Sequence, residues 1–322
     1  MTSTTGRELA SAAPSVSITA SSGTWSQQAA VDHLRPVRWA SVTEPTAIEV
    51  HGRPAPPLRP YVSSYVGFRL AGFPAGVHLG TPDRSLTAVI SLADPLTVAA
   101  PPGTATNGGR FAAVSAGLRT RSVAIHHDGH QHGVKLSLTP LGARAVFGMP
   151  AAELADTLVS LDELLGPLGP ELLDRVRAAG TWGARFGVLD ELLARVVGRG
   201  AGRGEAAFDL RPEVAEMWRR LVAARGRVRV GAVAAELGWS RRHLGERFRA
   251  EVGLSPKAVA RVLRFEHAHQ LADVDDPPSW AEVSASAGYA DQAHLVRDWR
   301  AFTGRTPTAW RGGEVLHRVA GH

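Results

Sequence analysis

The sequence predicts an α+β N-terminal domain, a β-sandwich or barrel followed by helices, and an all-α C-terminal domain of two helix-turn-helix units joined by a linker helix. Three observations carry this. Short apolar or alternating runs rich in Val, Ile, Leu and Thr recur between residues 25 and 139, for example 85–93, 122–126 and 133–138, separated by Pro, Gly and Asn clusters such as 100–109. Near Thr139 the apolar spacing changes to three and four residues. The tail then repeats itself, 233–256 against 283–307.

Taken in order, residues 1–24 are rich in Ser, Thr and Ala without a basic start or an apolar core, and are expected to be a disordered leader rather than a signal peptide. The strand region runs from 25. Helices are expected at 141–148, 151–158, 161–165, 170–179 and 182–197. The last carries Phe186, Leu189, Leu192, Leu193 and Val196 on one stripe that must cover a sheet or a second copy of the chain. This gives a sensing or dimerisation domain over 25–197, a glycine-rich linker at 198–205 and a helical domain over 206–322.

Composition removes several classes of function. The 322 residues contain no cysteine, which excludes disulfides, thiolate nucleophiles and cysteine-ligated zinc, and fits a reducing cytoplasm, the expected location. No run of 18 uncharged apolar residues exists, so no membrane partner is expected. The net charge is +6, and only Lys135 and Lys257 are lysines. Residues 206–322 hold 18 Lys/Arg against 14 Asp/Glu, which concentrates +4 in about a third of the chain.

The repeat is the most informative feature. Val233, Gly238 and Trp239 correspond to Val283, Gly288 and Tyr289 at an offset of 50. From His243 and Leu244 onward the offset is 51, so one residue has been added in the second turn. Each copy reads as helix, glycine turn, helix. Ser240 caps the second helix of the first copy, with Leu244, Phe248 and Val252 facing inward and Arg241, Arg242, Gly245, Glu246 and Arg249 outward. In the second copy Ser279 and Glu282 form a capping-box pattern. Leu295, Trp299 and Phe302 face in, leaving Gln292, Val296, Arg297 and Arg300 outside. Both copies end Gly-x-Ser/Thr-Pro, a helix stop followed by the cap and first residue of another helix. Between them, 256–271 reads as one helix of roughly 24 Å. A connector of that length can hold two recognition helices in successive major-groove windows, which recur about every 34 Å.

The second copy, with Gly288-Tyr289, Leu295-x-Arg297-x-Trp299-Arg300 and Gly304-x-Thr306-Pro307-x-x-Trp310-Arg311, resembles the AraC/XylS family of transcription regulators over residues 212–312. Leu295 and Trp299 stand where that family usually has phenylalanine. Residues 60–200, above all 136–154, are similar to the N-terminal domain of actinobacterial members. The resemblance implies that the second helix of each unit enters the major groove of double-stranded DNA. Arg242, Gly245 and Glu246 would lie on the base-reading face of the first unit, and Gln292, Ala293, Val296 and Arg297 on that of the second. Arg241, Arg249 and Arg300 would hold phosphates. In the first unit Glu246 replaces the usual arginine, and glutamate favours a cytosine amino group over guanine. The implied partners are duplex DNA, RNA polymerase, a small-molecule effector and a second copy of the chain. The resemblance implies no catalytic residue and no cofactor.

A second class of function, a metal-dependent barrel enzyme fused to a DNA-binding tail, rests on His126, His127, His130 and His132 around the turn-forming Asp128-Gly129. A solvated turn is the favoured reading, since no helix aligns these histidines. Tyr61, Tyr65, Phe68, Phe73 and Phe111 are read as core before effector pocket.

Overall fold

The computed structural model describes residues 17–20, 45–100, 108–201 and 210–312. Eleven strands are described: β1 (Ser17–Ala20), β2 (Thr46–Gly52), β3 (Val62–Ala71), β4 (Gly76–Gly80), β5 (Leu86–Ser91), β6 (Leu96–Ala99), β7 (Gly109–Phe111), β8 (Ala113–Ala116), β9 (Val123–His127), β10 (Gln131–Leu138) and β11 (Leu158–Ser160). They form two antiparallel sheets, ordered β1-β2-β3-β10-β5-β8-β11 and β4-β9-β6-β7. β1 lies within the segment expected as a leader and pairs with β2; the rest of 1–24 lies outside the described residues.

Alternation along the strands gives the larger sheet two apolar faces. Val66, Phe68 and Leu70 of β3 and Val89 of β5 face the smaller sheet across a cavity. Tyr65 of β3 and Leu86, Ala88 and Ile90 of β5 join a core on the opposite side, under helices. Those helices are α1 (Pro140–Gly142), α2 (Leu161–Leu165), α3 (Leu168–Ala178) and α4 (Trp182–Ala201). Phe186, Leu189, Leu192 and Leu193 of α4 are buried on this core, and the Phe186 ring stacks on Tyr65 at 5.6 Å. Asp190 fixes the helix, accepting hydrogen bonds from the Tyr65 hydroxyl at 2.9 Å and the Ala55 N–H at 3.0 Å.

Three segments differ from the sequence expectation for local reasons. The helix expected at 141–148 begins as α1 and widens into a π-type turn, Ala143–Phe147, stopped by Gly148 in the left-handed region. The helix expected at 151–158 is a single tight turn, Ala151–Leu154. Ala155 is extended and Asp156 has φ of 55°, so the chain leaves the helix and enters β11. At the linker, α4 continues through Gly198 to Ala201, four residues past the expected end; 202–209 lie outside the described residues.

The C-terminal part is α5 (Pro212–Ala223), α6 (Val230–Glu236), α7 (Arg241–Val252), α8 (Pro256–Ala272), α9 (Trp280–Ser286), α10 (Gln292–Thr303) and α11 (Pro307–Arg311). The first unit, α6–α7, shares one continuous core with the sandwich helices through Val214, Met217, Leu244, Phe248 and Val252. The second, α9–α10, has a separate core of Trp299, Phe302, Tyr289, Trp310 and Phe265.

The N-terminal domain touches α7, α8 and α10. Arg144 pairs with Glu251 of α7 at 2.5 Å. The C-cap Gly253 sits so close to Ala152 and Ala155 that a Cβ there would overlap the Ala155 methyl at 2.5 Å. Glu266 of α8 accepts the Arg84 N–H at 3.3 Å and lies 3.5 Å from the Arg84 Nε. Ser122, between β8 and β9, donates both its N–H (2.8 Å) and its hydroxyl (2.9 Å) to the Phe302 carbonyl in the last turn of α10.

Burial at this joint pushes the Glu266 carboxyl up to about 7, with Asp83 adding to the rise and Arg84 and Lys135 opposing it. His269, one turn further along α8, lines the same polar cleft. An acid whose pKa is raised by folding holds its proton more tightly in the folded chain. Its contribution is therefore fully present below the ordinary carboxylate range and is lost as pH rises through about 7. Glu266→Gln should remove about 2 kcal/mol of the wild-type stability loss between pH 5 and pH 8. Thermal denaturation across that range checks it; parallel pH profiles for both proteins would contradict the assignment.

Candidate nucleic-acid interface

Each unit is built from caps encoded in the sequence. Ser240 accepts the His243 N–H and starts α7, and Gly253, in the left-handed region, ends it. Ser255 then caps α8, with Pro256 at its first position. In the second unit Ser279 and Glu282 form the full reciprocal capping box of α9, and Thr306 caps α11. The cap of α10 is Asp291, whose carboxylate accepts the His294 N–H at 2.6 Å. Sequence reading missed it, although Asp before a helix is a legible signal.

Burial fixes which face of each second helix is free. Leu244, Phe248 and Val252 are fully buried. Arg241, Arg242, Glu246 and Arg249 are exposed, with Gly245 between them, and with Ser255 they frame a shallow open concavity. On α10, Leu295, Trp299 and Phe302 are buried, Gln292, Ala293, Arg297 and Arg300 are exposed, and Val296 is half-buried. All ten residues expected on the DNA side therefore lie at least partly open to solvent. Arg242 donates from Nε to Glu246 Oε1 at 2.8 Å. Arg241, Arg249, Arg297 and Arg300 form no ion pair among the described residues, so their charge is not spent within the fold.

The orientation of α10 rests on Asp298, which sequence reading did not single out. Its side chain is 7% exposed and accepts both Nε (3.0 Å) and Nη2 (2.7 Å) of Arg261 on α8, with His294 at 3.9 Å. The Arg261 guanidinium also lies over the Phe302 ring at 5.1 Å. Below this pair the Trp299 ring meets Phe265, Trp280 and Trp310 at 5.1–5.3 Å. Charge and packing thus lock the second recognition helix to α8.

The histidines do not converge. β9 belongs to the smaller sheet and β10 to the larger, so the Asp128-Gly129 turn joins two layers instead of closing a hairpin. His126 pairs across to Val77 and Thr97, while His132 stands edge-on to Trp182 in the other sheet. No group of three or more His, Cys, Asp or Glu able to hold a metal occurs among the described residues. Of the aromatic residues, Tyr65 is core, whereas Phe68 lines the cavity between the sheets. Arg119 also lines that cavity. It is 9% exposed, its Nε has no hydrogen-bond partner among the described residues, and burial lowers its pKa against the opposing pull of Asp83 and Asp156.

Asp298→Ala, which leaves Arg261 without its partner, should cost about 3 kcal/mol. Arg297→Ala, one residue away on the exposed face, should stay within about 0.5 kcal/mol of wild type. Urea unfolding of the full chain checks both; comparable losses would mean that Arg297 too has a structural role.

A helix-turn-helix domain model matches residues 233–313, from within α6 to just past α11. No curated protein matches the chain in sequence. Among solved structures, ToxT from Vibrio cholerae is similar at 8% identity over 77% of this chain and 96% of its own, with a TM-score of 0.45. Wild-type ToxT from the same organism, described as bound to an unsaturated fatty acid, is 6% identical over 74% of this chain and 91% of its own, with a TM-score of 0.45. A probable AraC family transcriptional regulator from Rhodopseudomonas palustris is 27% identical over 34% of this chain and 98% of its own, with a TM-score of 0.29. No helix among the described residues is long and apolar enough to cross a membrane.

Proposed function

We propose that this chain, which carries a helix-turn-helix domain over residues 233–313, is a DNA-binding transcription regulator whose α7 and α10 enter successive major-groove segments of one site. The observation that carries this is the pair of exposed, arginine-bearing helix faces packed through separate cores on α8. With 17 residues, α8 is roughly 25 Å long, which suits recognition helices about one turn of duplex apart. Arg242, Gly245 and Glu246 face bases from α7, and Gln292, Ala293, Val296 and Arg297 from α10. Arg241, Arg249 and Arg300 hold phosphates.

The N-terminal domain adds effector response. Its cavity is lined mainly by apolar side chains from both sheets and carries one buried guanidinium, Arg119, with an unsatisfied Nε. That lining suits an apolar molecule with an acidic group. Arg119 lies three residues before Ser122, which holds the last turn of α10, so a ligand that moves the 117–122 loop acts directly on the second recognition helix. Octanoate, used as a probe, should raise the melting temperature of wild type saturably and that of Arg119→Gln hardly at all, with octanol inactive on both. Equal responses of the two proteins would remove Arg119 from the site.

Selection from a randomised duplex library supplies the operator on which the DNA reading is tested. Arg297→Ala should cost about 1–3 kcal/mol there and relax preference at one base pair. Arg300→Ala should weaken all sequences about equally and lower the salt slope by roughly one. Titrations at two salt concentrations separate the cases. Sequence-blind losses for both variants would reassign Arg297 to the phosphates, and failure of the full chain to select any duplex would overturn the reading.

A further inference from the structure

The outward face of α7 carries an acidic side chain where approach to DNA favours basic ones. Phosphates repel a carboxylate in the groove, and the repulsion is offset only where a base offers it a donor. Glu246 is 61% exposed and already bridged to Arg242, itself 89% exposed, one helical turn earlier. A solvated pair of this kind contributes little to folding, so stability does not explain its place on this face. Between the two lies Gly245. Glycine weakens a helix interior relative to alanine, and a Cβ at 245 would meet no atom within 4 Å, so nothing among the described residues demands its absence.

We propose, resting on the DNA-reading function above, that Arg242, Gly245 and Glu246 read one C·G base pair as a unit. The Arg242 Nε and Glu246 Oε1 stand 2.8 Å apart, a donor beside an acceptor. In the major groove the cytosine amino group and guanine O6 stand side by side at about the same separation, since they are hydrogen-bonded to each other. Laid against that edge, Glu246 accepts from the cytosine amino group. Arg242, whose single Nε–H is given to Glu246, donates from its Nη groups to guanine O6 and, with a second N–H, to guanine N7. An A·T pair also sets an amino group beside a carbonyl. Its thymine, however, offers a C5-methyl and no N7, so the second N–H is satisfied only on guanine. Gly245 supplies the clearance: without a side chain there, the helix backbone comes close enough for the glutamate to reach a base edge.

The test uses the full chain and a randomised duplex library, comparing wild type with Glu246→Gln and Gly245→Leu. Wild type should select a site with a fixed C·G pair in one half. Glu246→Gln should lose about tenfold or more of the discrimination at that pair while keeping the other half-site. Gly245→Leu should bind the selected duplex about tenfold more weakly, with a melting temperature equal to or above wild type because leucine is the better helix former. If wild type selects no site, the DNA-reading function fails. If it selects one and Glu246→Gln keeps the same preference at every position, the paired readout is overturned and Arg242–Glu246 is a solvated ion pair. Unchanged affinity of a folded Gly245→Leu would overturn the close approach.

Discussion

The arrangement of the C-terminal half depends on α8 being apolar on two faces at once. Val259, Ala260 and Leu263 enter the core shared by the first unit and the sandwich helices. Val262, Phe265, Ala268 and Ala272, at spacings of three and four, enter the core of the second unit. A helix buried along two stripes cannot rotate about its axis without exposing one of them. The two recognition helices are thus held in register by the hydrophobic effect acting on a single rod, and the Arg261–Asp298 pair adds direction to the second contact. A flexible tether between the same units would pay an entropic cost on each binding event that this rod has already met during folding.

The two units are not equivalent in their attachment to the N-terminal domain. The first is part of its core, reinforced by Arg144–Glu251 and the close seat of Gly253 on Ala155. The second reaches that domain through the two hydrogen bonds of Ser122 to one carbonyl. Exposing packed apolar residues to water costs several kcal/mol, whereas exchanging a hydrogen bond with water costs about one. Any motion of one unit relative to the N-terminal domain is therefore easiest at α10. That places the movable element next to the loop that also carries Arg119 into the cavity, a short path from the sandwich to the second helix-turn-helix unit.

How much of this was legible in the sequence depended on the range of each interaction. The helix-turn-helix pairs were readable because their determinants are local. Ser240, Gly253 and Ser255 act within three or four residues and have counterparts in Asp291, Gly304 and Thr306 at an offset of 51, and the Ser279–Glu282 box is as local. The strands at 133–138 and 85–93 were readable by alternation. What was missed lies across the chain: Asp298 finds Arg261 37 residues away, and Ser122 finds Phe302 180 residues away. No spacing rule reaches that far. The histidine run shows the converse: His126 and His127 stand in one sheet, His132 in the other and His130 in the turn between them. Gly129 makes that turn at φ of 98°, where a Cβ would strike the Phe73 carbonyl.

Net charge was the least informative quantity, and the structure explains why. A surplus of four positive charges over 206–322 is small, and many of the arginines in that region are engaged within the fold. Arg220 bridges Glu216 and Glu236, Arg261 serves Asp298, and Arg264 donates to the Gly226 carbonyl. The outer faces of α7 and α10 carry only a short set of the region's positive charges; others, such as Arg229 and Lys257, are exposed elsewhere. Each neutralised phosphate adds to binding on every sequence alike, so few such contacts mean weak attachment to random DNA. A carboxylate within the same face weakens it further. On the proposed reading, discrimination then rests on base edges, through side chains such as Arg297 and Glu246, more than on overall basicity.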